Sequence, residues 1–218
     1  MFKKSKSLQA KERSQFPIEA IIFDVDGVVF KSIDAHGKYF WSQNIKKDLG
    51  IRGEHLKKIF SKQWEDVTKG EIDTKEHLRQ IFKDNTFENL NLTVDGYINY
   101  WLAHDNYVDS EMVSFAQSLK IPAYLGTNQD PYRTNHIKNL VGSSFKGVFS
   151  SYQIGCLKPE PGFYQHIEKT LHLRPDQLLL IDDTQANIEG ANARGWNVYF
   201  YEDDLEGLKS FIGSLIFV

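Results

Sequence analysis

Short apolar runs recur along the chain, each cut off by small or acidic residues. The run Ile18-Glu19-Ala20-Ile21-Ile22-Phe23 stops at Asp24-Val25-Asp26-Gly27. The same punctuation follows Ile121–Leu125, before Gly126-Thr127-Asn128, and Leu178–Ile181, before Asp182-Asp183. Gly147–Phe149 and Asn197–Tyr201 are further runs of this kind. Near-continuous apolar runs of this length predict strands buried on both faces. Between them the spacing turns helical. Ser110 is placed to cap a helix through Leu119, and Asp130-Pro131 supplies an N-cap and a first-turn proline for a helix to about Leu140. Phe163–Leu171 and Ile188–Arg194 follow the same logic, the second closed by Gly195. Alternation of this sort predicts an α/β fold with a parallel, doubly wound, Rossmann-like sheet.

Residues 31–105 interrupt the alternation and carry helical patterns alone. Phe40, Trp41, Ile45 and Leu49 form one stripe, and Leu56, Ile59, Phe60, Trp64 and Val67 a second. Asp73-x-x-Glu76 has the form of a capping box before Leu78, Ile81 and Phe82, and Val94, Tyr97, Ile98, Trp101 and Leu102 make a fourth face. Four helices are therefore expected between the first and second strands, most of their aromatics forming a core. The expected organisation is a discontinuous α/β unit of residues 17–30 and 106–218, a helical cap at 31–105, and a basic tail at 1–16.

Composition narrows the function classes. The 218 residues are 41% apolar with a formal charge of -3, enough to bury a core but without a basic field for nucleic acid. No apolar run approaches the roughly 18 residues of a membrane span. The single Cys156 excludes an internal disulfide and fits a reducing compartment. The opening MFKKSKSLQAKERSQF lacks the apolar stretch of a secretory signal, so a cytoplasmic protein with a solvated tail is expected, with no nucleic-acid or membrane partner.

The candidate chemistry lies at the strand ends. Asp24, Asp26, Thr127, Asn128, Asp182 and Asp183 each follow a predicted buried strand, at the edge where open α/β sheets bind ligands. Carboxylates converging there repel one another unless a cation sits among them. Hard oxygen donors without a His or Cys cluster favour Mg²⁺. Lys158, followed by Pro159, can deliver a positive charge to the same place, holding Asp24 ionised and neutralising a phosphoryl group. The Thr127 hydroxyl, the Asn128 amide and nearby backbone N–H groups can donate to phosphate oxygens. Neither GxxxxGK[ST] nor GxGxxG occurs.

Taken in order, Phe23-Asp24-Val25-Asp26-Gly27-Val28, Leu125-Gly126-Thr127-Asn128, Leu157-Lys158-Pro159 and Leu180-Ile181-Asp182-Asp183-Thr184 resemble the four motifs of the haloacid dehalogenase-like (HAD) hydrolase superfamily. The stretches 158–164 and 182–191 look most like the branch with sugar-phosphate phosphatases, phosphoglycolate phosphatases and β-phosphoglucomutases, in which a helical cap follows the first motif. The second motif reads Gly-Thr-Asn, which keeps the hydroxyl donor, and the presence of Asp26 argues for phosphoryl rather than dehalogenase chemistry.

The resemblance implies a Mg²⁺-dependent phosphatase acting on a small phosphorylated metabolite such as a sugar phosphate. Asp24 would be the nucleophile forming an aspartyl-phosphate and Asp26 the general acid and base, with Thr127, Asn128 and Lys158 on the phosphoryl group. Mg²⁺ would be held by Asp24, the Asp26 backbone carbonyl and Asp183, with Asp182 direct or through water. Lys31, Ser32, Asp34 and His36 near the hinge, and Trp64, Lys69, Glu71 and His104 in the cap, are candidates to meet substrate. A phosphomutase of the β-phosphoglucomutase type, and a non-catalytic binding protein of the same fold, are the competing readings.

Overall fold

The computed structural model describes residues 17–34 and 38–216; the basic segment 1–16 and His36 lie outside them. Five strands, β1 (Ala20–Phe23), β2 (Ala123–Thr127), β3 (Val148–Ser150), β4 (Leu178–Asp182) and β5 (Asn197–Phe200), form one parallel sheet in the order β3-β2-β1-β4-β5. β1 alternates between two cores. Ile21 and Phe23 face one cluster with Leu125, Ile137, Leu179 and Ile181, while Ala20 and Ile22 face another with Phe163, Ile167, Leu178 and Leu180. Burial on both faces explains why β1 and β4 are almost wholly apolar, whereas the edge strand β5 is half-buried and begins with Asn197.

The helices, in chain order, are α1 (Ile45–Leu49), α2 (Gly53–Ile59), α3 (Trp64–Thr68), α4 (Thr74–Ile81), α5 (Val94–His104), α6 (Ser110–Ser118), α7 (Pro131–Val141), α8 (Ser151–Ile154), α9 (Pro161–Leu171), α10 (Gln185–Ala193) and α11 (Leu205–Ile216). α6, α7 and α11 cover one face of the sheet; α9 and α10 cover the other. α7 starts as its sequence predicts, with the Asp130 carboxylate accepting from Tyr132 N–H and Pro131 in the first turn. α6 does not. Its N-cap is Asp109, which accepts from the N–H groups of Glu111 and Met112, so Ser110 is already helical. Two adjacent residues of capping type stand there, and the carboxylate prevails.

The second cap pattern is two helices rather than one. α2 ends at Phe60 (φ -94, ψ 42) and α3 begins at Trp64. No Gly or Pro marks the break, which leaves Phe60 and Trp64 edge-on at 5.0 Å, each about 6 Å from Trp101 (5.9 and 6.0 Å). With Trp41, Ile45, Ile59, Leu78 and Tyr97 these rings form a third core separate from the sheet. The two chain crossings to this helical body run side by side: Lys31 N–H donates to the Tyr107 carbonyl at 2.8 Å and Asp109 N–H to the Val29 carbonyl at 2.8 Å. Among the described residues no helix is long and apolar enough to cross a membrane.

Candidate active site

Sheet register brings distant residues together. Phe23 pairs with both Leu125 and Ile181, so Asp24, Gly126 and Asp182 stand in a row one position further on. This is where the strand order reverses, since β1 connects to β2 on one side while β4 lies on its other side. The Lys158 ammonium sits between Asp24 Oδ1 and Asp182 Oδ2, 2.7 Å from each. Asp24, Lys158 and Asp182 are all buried. Asp24, Asp182 and Asp183 each offer a carboxylate oxygen within 4.8 Å of the others.

One ammonium among three carboxylates leaves surplus negative charge. Burial pushes the Asp24 carboxyl up to about 8, with Lys158 opposing and Asp182 adding to the rise. Burial and then Asp182 likewise raise Asp183. Burial disfavours the Lys158 ammonium, but Asp182 and Asp24 outweigh it and hold Lys158 protonated. Gly27, at φ +77, makes room for the acid: a Cβ there would lie 1.9 Å from Asp183 Oδ2. Clustered hard oxygens with raised affinity for positive charge suit a divalent cation of the Mg²⁺ type.

The neighbouring residues divide between contact and support. Thr127 ends β2, buried beside Ser150. The side chain of Asn128 is occupied in bracing the lysine loop, its amide donating to the Lys158 carbonyl at 2.9 Å and its oxygen accepting from Lys158 N–H at 2.8 Å. The side chain expected at the phosphate is thus tied into that loop. Asp182 is also heavily engaged, accepting from Thr184 N–H at 2.9 Å and the Asn187 amide at 3.0 and 3.1 Å besides Lys158. These bonds make it a holder of Lys158 and of the turn into α10.

Asp26 points elsewhere. Its carboxylate accepts from Arg133 Nη1 at 2.5 Å, Arg133 Nη2 at 2.7 Å and Gln129 Nε2 at 2.7 Å, and from the Ser32 hydroxyl. Burial raises its pKa, but Arg133 and Ser32 outweigh that and hold it below the usual carboxylate range. The carboxylate lies outside the Asp24–Asp182–Asp183 cluster, leaving its backbone carbonyl for any part in holding an ion. Arg133 is buried and also pairs through Nε with Asp105 Oδ2 at 2.7 Å, where the chain leaves α5.

Arg133, Gln129 and Asp105 were not among the sequence candidates. One signal was present: Arg133 lies in the first turn of α7, where the helix dipole favours acids, so a buried cation there needs carboxylate partners. Of the cap candidates, Ser32 reaches Asp26, Trp64 lines the crevice, and Lys69 pairs with the crevice residue Glu160 at 2.6 Å. Lys31 instead pairs with Asp109 at 3.3 Å, Asp34 accepts from Lys38 N–H at 3.0 Å, and exposed His104 stacks on Tyr100 at 4.1 Å. Glu71 is exposed and does not line the crevice.

Sheet order, strand-end acids and a lysine brought to them agree with the sequence itself, which matches the haloacid dehalogenase-like hydrolase family over residues 18–195. The chain belongs to that family and is an enzyme of the hydrolase class. It is 23% identical over 193 residues to a D-ribitol-5-phosphate phosphatase of Bacteroides thetaiotaomicron, covering 84% of this chain and 91% of that one. It is 24% identical over 182 residues to the sesquiterpene phosphatase astK of Aspergillus oryzae, covering 81% and 86%. Its fold is similar to that of a HAD family enzyme from B. thetaiotaomicron crystallised with magnesium and inorganic phosphate, at a TM-score of 0.73 and 19% identity over 88% of this chain and 98% of that one.

Proposed function

We propose that the protein is a Mg²⁺-dependent phosphatase that hydrolyses a small organic phosphomonoester through an aspartyl-phosphate on Asp24. The observation that carries this reading is the Lys158 ammonium lying 2.7 Å from both Asp24 and Asp182, beside Asp183. Asp24 and Asp183, with the Asp26 carbonyl, would hold Mg²⁺, which when bound supplies positive charge to the nucleophile and the phosphoryl oxygens. The relatives' names, a polyol phosphate phosphatase and a terpenoid one, support phosphate-ester chemistry and differ in leaving group.

In the first step an Asp24 oxygen attacks phosphorus, the bond from phosphorus to the alcohol oxygen breaks, and that oxygen takes a proton from Asp26. In the second, water attacks the phosphorus of the aspartyl-phosphate, its proton passes to Asp26, and inorganic phosphate leaves with Asp24 restored. Arg133 favours Asp26 in the state that accepts a proton, so its grip must loosen for the donating step. Lys158 and the backbone N–H groups beyond Thr127 neutralise and orient the phosphoryl oxygens.

Release of inorganic phosphate from a panel of phosphomonoesters, with Mg²⁺ and with chelator, tests the reading. Phosphate release that needs Mg²⁺ and vanishes in Asp24→Asn is expected. Release that survives in Asp24→Asn would overturn the nucleophile, and an isomerised sugar phosphate without free phosphate would mark a mutase.

A further inference from the structure

The leaving-group side of the crevice has a chemistry of its own. A cavity of about 590 Å³ runs from Asp26, Asn128 and Lys158 to the cap, where Trp41, Phe60, Trp64 and Trp101 line it. These rings hold one another edge-on or tilted, with Trp41 to Trp101 at 5.8 Å and Phe60 to Trp64 at 5.0 Å. They present a fixed aromatic wall, already packed as a core.

The polar groups nearest the reaction centre are already engaged, while the exposed Tyr39 and Glu65 complete the lining. Lys158 holds Asp24 and Asp182, and Arg133 holds Asp26 and Asp105. Gln129 and Ser32 donate to Asp26, and the Thr68 hydroxyl turns back to the carbonyls of Trp64 and Glu65 at 3.1 and 3.0 Å. Among the described residues the cations lining the cavity are Arg133 and Lys158, each shared between two carboxylates. A polyol laid against this wall gives up water at hydroxyls for which the ring faces offer no replacement, which is unfavourable. An acidic leaving group would meet Asp26 and Asp105 with no cation in reserve.

We propose that the site selects phosphomonoesters of neutral, apolar alcohols, aliphatic, prenyl or aryl, over polyol phosphates and phosphorylated acids. The inference rests on the phosphatase reading above and adds the leaving group to it. Methylenes laid against the aromatic wall leave water, and each raises the apparent affinity of the transition state by up to about fourfold.

The test is kcat/KM, with Mg²⁺, for the n-alkyl phosphates from ethyl to octyl, beside ribitol 5-phosphate and phosphoglycolate. All are primary esters, so their leaving oxygens are closely matched. The expected result is a rise of about two- to fourfold per methylene until the wall is covered, with octyl phosphate at least about tenfold above ribitol 5-phosphate. Trp64→Ala should flatten that slope. The wild-type slope decides by itself, so the test survives if the variant folds poorly. A flat or falling slope, or preference for either polar substrate, overturns the leaving-group assignment and leaves the phosphatase reading standing. No Mg²⁺-dependent release from any of these esters, nor from acetyl phosphate, overturns both.

Discussion

Arg133 grips the carboxylate of Asp26 with two guanidinium nitrogens, at 2.5 and 2.7 Å, across 107 residues of sequence. The same guanidinium reaches Asp105, so one buried cation joins the proposed acid–base residue to the end of the cap. Arg133→Ala leaves two carboxylates without their partner and should destabilise the fold by about 3–5 kcal/mol, read by denaturant titration. Arg133→Lys keeps the charge without the planar fork. It should fold, and kcat should fall by about 10²-fold as Asp26 loses its orientation. Wild-type kcat in Arg133→Lys would mean that the clamp serves stability alone.

Asp24→Asn should remove at least about 10⁴-fold of kcat, the usual scale for loss of a nucleophile. Burial penalises the Asp24 charge, so the amide should leave the melting temperature equal to or above the wild type's. A large fall in melting temperature would show that Asp24 is chiefly structural.

Mg²⁺ binding can be read without turnover. At about a hundredfold excess over its Kd the ion should stabilise the fold by about 2.7 kcal/mol, seen as a rise in melting temperature that chelator reverses. Asp183→Asn removes a carboxylate from the cluster and should abolish most of the rise. An undiminished rise in that variant would place the ion elsewhere.

Gly27→Ala tests the floor of the site. The added Cβ would stand 1.9 Å from Asp183 Oδ2 at a backbone φ of +77. Displacing that carboxylate by about an ångström should lower kcat about 10²-fold, and the left-handed backbone should cost about 1–2 kcal/mol. Unchanged kinetics would show that Asp183 has freedom to move.

Asp130 carries a pH dependence of stability. Burial raises its pKa, and one of its oxygens is buried without a partner, although the other accepts from Tyr132 N–H and the Thr74 hydroxyl. The folded protein therefore binds this proton more tightly than the unfolded chain. Its contribution is present in full below the unfolded value of about 3.9 and is lost as pH rises through the higher folded value. Asp130→Asn keeps an N-cap acceptor, so its melting temperature relative to wild type should improve as pH rises from about 4. A gap that is constant or closes with pH would refute the assignment.

β1, β4 and their terminal acids were legible because burial on both sheet faces writes near-continuous apolar text. Leu178–Asp182 is buried at every position, and its sequence predicts all but the last residue. The cap's helical character was legible for the same reason, through the spacing of Tyr97, Ile98 and Trp101. The break after Phe60 was not, because it depends on both Phe60 and Trp64 packing against Trp101 some 40 residues on rather than on any local breaker. The Arg133 and Gln129 contacts to Asp26 were hidden similarly, spanning 107 and 103 residues. Asn128 shows a subtler limit: its position at a strand end was readable, but its engagement with the Lys158 backbone depends on a loop from another strand.

The paired crossings at Val29–Lys31 and Tyr107–Asp109 are where the backbone passes between the sheet and the helical body, tied side by side by two reciprocal backbone bonds. Asp26 is bridged to Phe30 in one of those segments, so any movement of the helical body about the crossings would be transmitted to the residue proposed to carry the proton.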